Sequence, residues 1–141
     1  MTVLVDTSVW SLALRRQRKD LSPEQRQTTQ ELAELIREAR ARLIGPVRQE
    51  LLSGIRELAQ YDRLRRDLRA FDHIPLQAED YEEAARASNL CRAKGVLGSS
   101  VDFLICAVAL RRNWHVFSLD ADFTNYAKHL ALRLHGPRGP R

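Results

Sequence analysis

The stretch "VDFLICAVAL", residues 101–110, limits the possible folds more than any other part of the chain. Read at 3.6 residues per turn it is apolar nearly all the way round, apart from Asp102 in its first turn. Such a helix has no face to give to water, so it has to be buried among other elements. The chain has 141 residues, close to the commonest domain size, which calls for one layered domain with this helix inside. Apolar residues make up 44% of the chain, enough for a core of that kind.

The strand signals agree. "TVLV" (2–5) is a β-branched run without alternation, as in a parallel strand covered on both faces. "HVFSL" (115–119) is similar, and "RLI" (42–44) is a shorter candidate. "DHIPL" (72–76) is confined to an edge or an end by Pro75, and "ALRLHGP" (131–137) offers one more short strand. Helices are predicted over 7–17, from Pro23 to about 41, and over 46–55, 57–70, 78–95 and 98–113. Ser22 is the expected N-cap of the second, and Pro46 opens the third. Gly95 stops the fifth, whose first turn is acidic and last turn basic. This order gives a three-layer α/β domain around a parallel sheet over 1–135, with "GPRGPR" (136–141) as a disordered basic tail.

The net charge is +5 and the isoelectric point about 9.8. With Lys19, Lys94 and Lys128 the only lysines, arginine supplies 20 of the 23 basic residues. Arginine favours bidentate phosphate contacts, and an excess of positive charge draws polyanions. Arg15, Arg16, Arg18 and Lys19 are candidate guides for a nucleic-acid backbone, against a plain solvated helix end. Cys91 and Cys106 have no zinc-ligand spacing and fall in apolar helical patterns, so they read as buried hydrophobes. No apolar stretch reaches the ~20 residues of a membrane span, and "MTVLV" lacks the pattern of a secretory signal. The expectation is a cytoplasmic protein with no membrane partner.

Four acids occupy telling positions. Asp6 ends one buried strand and Asp120 another; Glu50 lies one turn into a helix, and Asp102 heads the apolar one. Each has a local explanation: Asp6 as an N-cap, Asp102 in S-x-x-D spacing with Ser99, Glu50 solvated, Asp120 in an Asx turn. Together they suggest more. Open α/β sheets form sites beyond the carboxyl ends of their strands. Several carboxylates in one cleft raise one another's pKa, a cost that a divalent cation removes. An all-oxygen set suits Mg²⁺ or Mn²⁺ rather than zinc.

"VLVDTSVW", an acid in "GPVRQELL", "SSVDFLICAVAL" and "VFSLDADF" together resemble the PIN-domain ribonucleases. The compact length and the tryptophan after "DTSV" point to the VapC-type toxins of toxin–antitoxin pairs. The resemblance runs from residue 3 to about 130 and implies a central parallel sheet of four or five strands flanked by helices. It implies an acidic quartet at Asp6, Glu50, Asp102 and Asp120, with Asp122 an alternate ligand and Glu57 a poorer rival to Glu50. Ser8 matches the hydroxyl that follows the first acid and would orient a ligand or water. Ser118 matches a position often held by Thr.

The activity implied is Mg²⁺- or Mn²⁺-dependent cleavage of RNA by activated water, leaving a 5′-phosphate and a 3′-hydroxyl. The partners implied are RNA, a cognate antitoxin and a second copy of the chain. A groove for an antitoxin helix is expected between the first two helices, using Trp10, Leu14 and Leu32. Two alternatives share the fold: an inactive PIN-like RNA- or protein-binding module, and a chromosomal RNA-processing nuclease. A receiver-type phosphoacceptor domain fits poorly, because Asp6 is followed by Thr7-Ser8 rather than a second acid.

Overall fold

The structure is a computed structural model, and it describes residues 1–15 and 18–139. β1 (Val3–Val5) is the middle strand, with β2 (Ala41–Arg42) on one side and β3 (His115–Phe117) on the other, both parallel to it. Val3 faces Ala41 and His115, and Val5 faces Phe117. All three β1 side chains are fully buried, as an unalternating apolar run requires. The helices are α1 (Thr7–Arg15), α2 (Pro23–Arg37), α3 (Gly45–Leu52), α4 (Leu58–Leu68), α5 (Ala78–Ala93), α6 (Ser100–Arg112) and α7 (Asp122–Ala127). A 3₁₀ turn over Arg18–Asp20 precedes α2. α1 packs on α2 and α3, α5 on α6, and α6 on β3. No helix among the described residues is long and apolar enough to cross a membrane.

The α/β class and the parallel sheet are as expected, but among the described residues the sheet has three strands rather than four or five. The chain at 72–76 forms no strand; Pro75 has no N–H for a ladder, and Ile74 and Leu76 pack against the core instead. The 131–137 candidate shrinks to one parallel bridge between Leu134 and Val116. Gly136 and Pro137 follow it, and the chain leaves β3 to meet α2.

The helix ends have local causes. Ser22 and Gln25 form a reciprocal capping box, with Ser22 Oγ accepting from the Gln25 amide at 3.1 Å. α2 stops earlier than predicted because Ala39 turns left-handed (φ 57°) and the Arg40 amide bonds Leu35 O. α6 ends on Asn113, also left-handed, a conformation asparagine tolerates. α6 buries every residue from Phe103 to Ala109, as its apolar circumference demands. α7 is absent from the sequence reading; "DADF" signals a turn, and that turn continues into six helical residues.

Two acids buried away from the strand ends are fully paired. Asp80 accepts from Arg111 at 2.6 Å, from Arg112 at 2.7 and 3.1 Å, and from the Gln77 amide at 2.8 Å. Arg112 above all holds its carboxyl far below the usual range. Burial works to raise Glu31, but bonds from Arg138 and His135 outweigh it and lower its pKa. Arg138 donates to Glu31 at 2.8 Å and also to Glu38. Arg138, in the segment after residue 135, is thereby tied to α2 through the buried Glu31 carboxylate.

Replacing Asp80 with Ala is expected to cost about 3 kcal/mol in urea unfolding, the low end for breaking a buried pair, since both arginines keep contact with water. Depressed folded-state pKa values give stability that is present above the unfolded carboxyl value and lost as pH falls. Urea melts across pH should therefore be flat near neutrality and decline below about pH 4.

Candidate metal centre

The acids meet at the carboxyl ends of β1 and β3. The Asp6 amide bonds Phe117 O at 2.9 Å, extending the ladder by one step and fixing the side chain where the two strands end together. The Asp6 carbonyl accepts from the Val9 and Trp10 amides and so starts α1. Its carboxylate is used separately: Oδ2 accepts from Ser8 Oγ and Ser118 Oγ, both at 2.8 Å, and from the Ser8 amide at 3.4 Å. Asp6 is therefore both a cap and a buried carboxylate held between a hydroxyl in the first turn of α1 and one just after β3. Ser8 Oγ also accepts from the Leu119 amide at 3.0 Å, and Ser118 Oγ from the Asp120 amide at 3.0 Å, so these serines tie the two strand ends together.

Asp102 lies in the first turn of α6, where Ser99 Oγ accepts from its amide at 3.1 Å. Its own Oδ2 accepts from the Tyr126 hydroxyl at 2.7 Å. Burial pushes the Asp102 carboxyl above its ordinary value; the charges of Asp6 and Asp120 add to this, and the bond from Tyr126 and the nearby Ser99 hydroxyl oppose it. Burial and the Asp102 charge also raise the Tyr126 phenol well beyond its usual range, so it remains a donor. Asp120 Oδ1 accepts from the Asp122 amide at 2.9 Å, an Asx turn that opens α7.

Oxygens of Asp102, Asp120 and Asp122 lie within 4.8 Å of one another. Asp6 belongs to the same electrostatic group but not to that tight trio. Glu50 is exposed on α3 and stands outside it as well, bonded to Thr7 Oγ1 at 2.9 Å and so linked to the residue after Asp6. Glu57 is the exposed residue before α4 and has no side-chain cap bond.

The charge balance sets these acids apart. In a chain with 23 basic residues, none of Asp6, Glu50, Asp102, Asp120 or Asp122 forms an ion pair among the described residues. Every donor to them among the described residues is neutral, a hydroxyl or a backbone amide. Asp6 Oδ1, Asp102 Oδ1, Asp120 Oδ2 and Glu50 Oε2 take no bond from the described residues. A hard divalent cation fits this oxygen-only donor set, which contains neither His nor Cys.

A family model for the PIN domain matches residues 3–129. The chain belongs to the PIN-domain family. The structure of FitAcB from Neisseria gonorrhoeae superposes with a TM-score of 0.75 at 20% identity, over 96% of this chain and 98% of that one. VapBC2 from Rickettsia felis, bound to a DNA fragment from its promoter, gives 0.74 at 16% identity, with 96% and 98% covered. A toxin–antitoxin complex from Klebsiella pneumoniae gives 0.63 at 18%, with 86% and 90% covered. No curated protein matches the chain in sequence.

Tyr126 was missed by the sequence reading; its only signal is a spacing of four residues from Asp122. Thr7 was missed in the same way. Trp10 and Leu32 do not line a groove between the first two helices, because both are core residues; the cavity there is bordered by Ala13, Leu21 and the α2 residues Arg26, Thr29, Gln30 and Ala33. Trp10 donates to Val5 O and packs edge-on against Phe71, while Leu14 stays partly exposed. Arg16 lies outside the described residues, as do the side chains of Arg15 and Arg18. Cys91 and Cys106 are buried, as expected.

A carboxyl whose pKa is raised by folding destabilises the fold wherever it is ionised. Asp102→Asn is therefore expected to raise the metal-free melting temperature by a few degrees at neutral pH. The advantage should shrink on acidification, and paired melts of both proteins across pH 4–8 measure it.

Proposed function

We propose that this chain is a divalent-metal-dependent endoribonuclease acting as the toxin of a toxin–antitoxin pair. One observation carries the reading: Asp102, Asp120 and Asp122 cluster beside the ends of β1 and β3, with Asp6 in their electrostatic group, and none of them has a cationic partner among the described residues of an arginine-rich protein. Of the two acids buried elsewhere, Asp80 is paired with Arg111 and Arg112, and Glu31 is held by Arg138 and bonded to His135. Leaving carboxylates uncompensated in a cleft is costly unless an external cation completes them.

Asp6, Asp102 and Asp120 are the residues that would hold Mg²⁺ or Mn²⁺, with Asp122 beside them in the tight trio. Glu50, exposed and outside that trio, acts at the rim, directly or through water. When bound, such an ion lowers the pKa of water and offsets charge on a phosphodiester. Ser8 is a positioning group. Its hydroxyl is used up in donating to Asp6 and accepting from Leu119, and no histidine bonds to it as a base, so it is not a nucleophile. The net positive charge of the chain draws a polyanion without reading its sequence.

The toxin role rests on the family and on likeness to FitAcB, VapBC2 and the Klebsiella pneumoniae complex. An antitoxin and a second copy of the chain are the protein partners that this reading assigns.

Cleavage of a structured RNA is expected with Mg²⁺ and not with EDTA. Asp6→Asn and Asp102→Asn should each lower the rate by more than about a hundredfold, beyond what losing an outer-shell partner costs. Cleavage that persists in EDTA, or in folded samples of both variants, refutes the reading.

A further inference from the structure

We infer that Tyr126 is a positioning residue of the metal centre, fixing the Asp102 carboxylate so that Oδ1 is the oxygen left for a cation, with Gly98 providing the space for its hydroxyl. The inference rests on the metal-centre reading above and assigns a role to two residues that the acidic set does not include.

Tyr126 is fully buried on α7 and held by aromatic packing on two sides. Its ring centroid is 5.0 Å from that of Phe103 and 5.2 Å from that of Phe123. The ring therefore cannot swing, and its hydroxyl reaches one acceptor, Asp102 Oδ2, at 2.7 Å. Phe103 follows Asp102 on α6, so one element carries both the acid and part of the wall that aims its donor.

The second observation is steric. A Cβ added at Gly98 would lie 2.2 Å from the Tyr126 hydroxyl oxygen and 2.7 Å from the ring carbon bearing it. Gly98 has no positive φ, so its backbone asks nothing special of glycine; what requires glycine is the phenol beneath it. The loop entering α6 and the last helix of the domain are thus fitted to one another at the atom that touches Asp102.

The choice of donor matters chemically. Without a bond, a half-buried carboxylate facing two other negative charges would rotate away from them. An arginine or lysine would hold it but would also neutralise it and compete with the cation. A phenol holds the carboxylate and leaves its charge intact. Outer-shell partners of this kind tune metal affinity by fixing ligand orientation.

The test reads Mn²⁺ binding to the full chain by calorimetry and by the paramagnetic resonance signal of free Mn²⁺. Tyr126→Phe keeps the packed ring and loses only the hydroxyl. It is expected to weaken Mn²⁺ binding about tenfold in a protein whose circular dichroism is unchanged. Gly98→Ala should weaken binding in the parent and lose part of that effect in the Tyr126→Phe background, where the clash with the hydroxyl is gone and the crowding of the ring carbon and Phe103 remains. Asp102→Asn separates the two levels. If it binds Mn²⁺ as the parent does, or if the parent binds none, the metal-centre reading itself fails. If Asp102→Asn loses binding while Tyr126→Phe binds as tightly as the parent, the role of Tyr126 is overturned and the metal centre stands. Fully additive losses for Gly98→Ala and Tyr126→Phe overturn the assignment of Gly98.

Discussion

The architecture depends on one strand that is paired on both sides and ends in a charge. β1 is fully buried and hydrogen-bonded to β2 and β3, so nothing along it meets water until Asp6. The Asp6 amide continues the ladder to Phe117, which leaves the carboxylate no choice of position. Its carbonyl starts α1, and Ser8 from the first turn of α1 and Ser118 from the end of β3 bind its Oδ2. Capping and site-building are therefore consecutive uses of one residue, the first by its backbone and the second by its side chain.

Two kinds of buried acid coexist in the molecule, and the contrast between them is informative. Asp80 and Glu31 are ordinary structural acids: buried, matched by arginines or a histidine, and serving to pin α5 to α6 and the C-terminal segment to α2. The strand-end acids are held by hydroxyls and amides, which fix geometry without cancelling charge. An arginine-rich chain had every opportunity to neutralise them. Among the described residues no basic side chain does so, and negative potential is concentrated in one place on an otherwise basic protein, the arrangement that attracts a cation and places it against a polyanion.

Much of this was legible in the sequence. The apolar circumference of 101–110 meant burial, and α6 is buried from Phe103 to Ala109. Ser22-Pro23 marked a helix start because capping is a local interaction within four residues, and the capping box forms. Strand count was less legible. A run such as 131–137 becomes a strand only if a neighbour lies alongside for several residues, and here the chain departs after one bridge. α7 escaped for a related reason, since six residues carry too little periodicity to register.

The sequence alone determined which residues had to be inside and which acids stood at the ends of buried runs, because burial patterns and caps depend on neighbours within a turn or two. It also determined the family, through short motifs whose order survives without coordinates. Only the tertiary structure decided which charges were left unpaired. Asp80 and Asp102 both sit in the first turn of a helix, and nothing local tells them apart. The difference comes from residues more than twenty positions away: Arg111 and Arg112 fold onto Asp80, while the phenol of Tyr126 folds onto Asp102. Pairing is a contact between distant parts of the chain, and packing alone determines it.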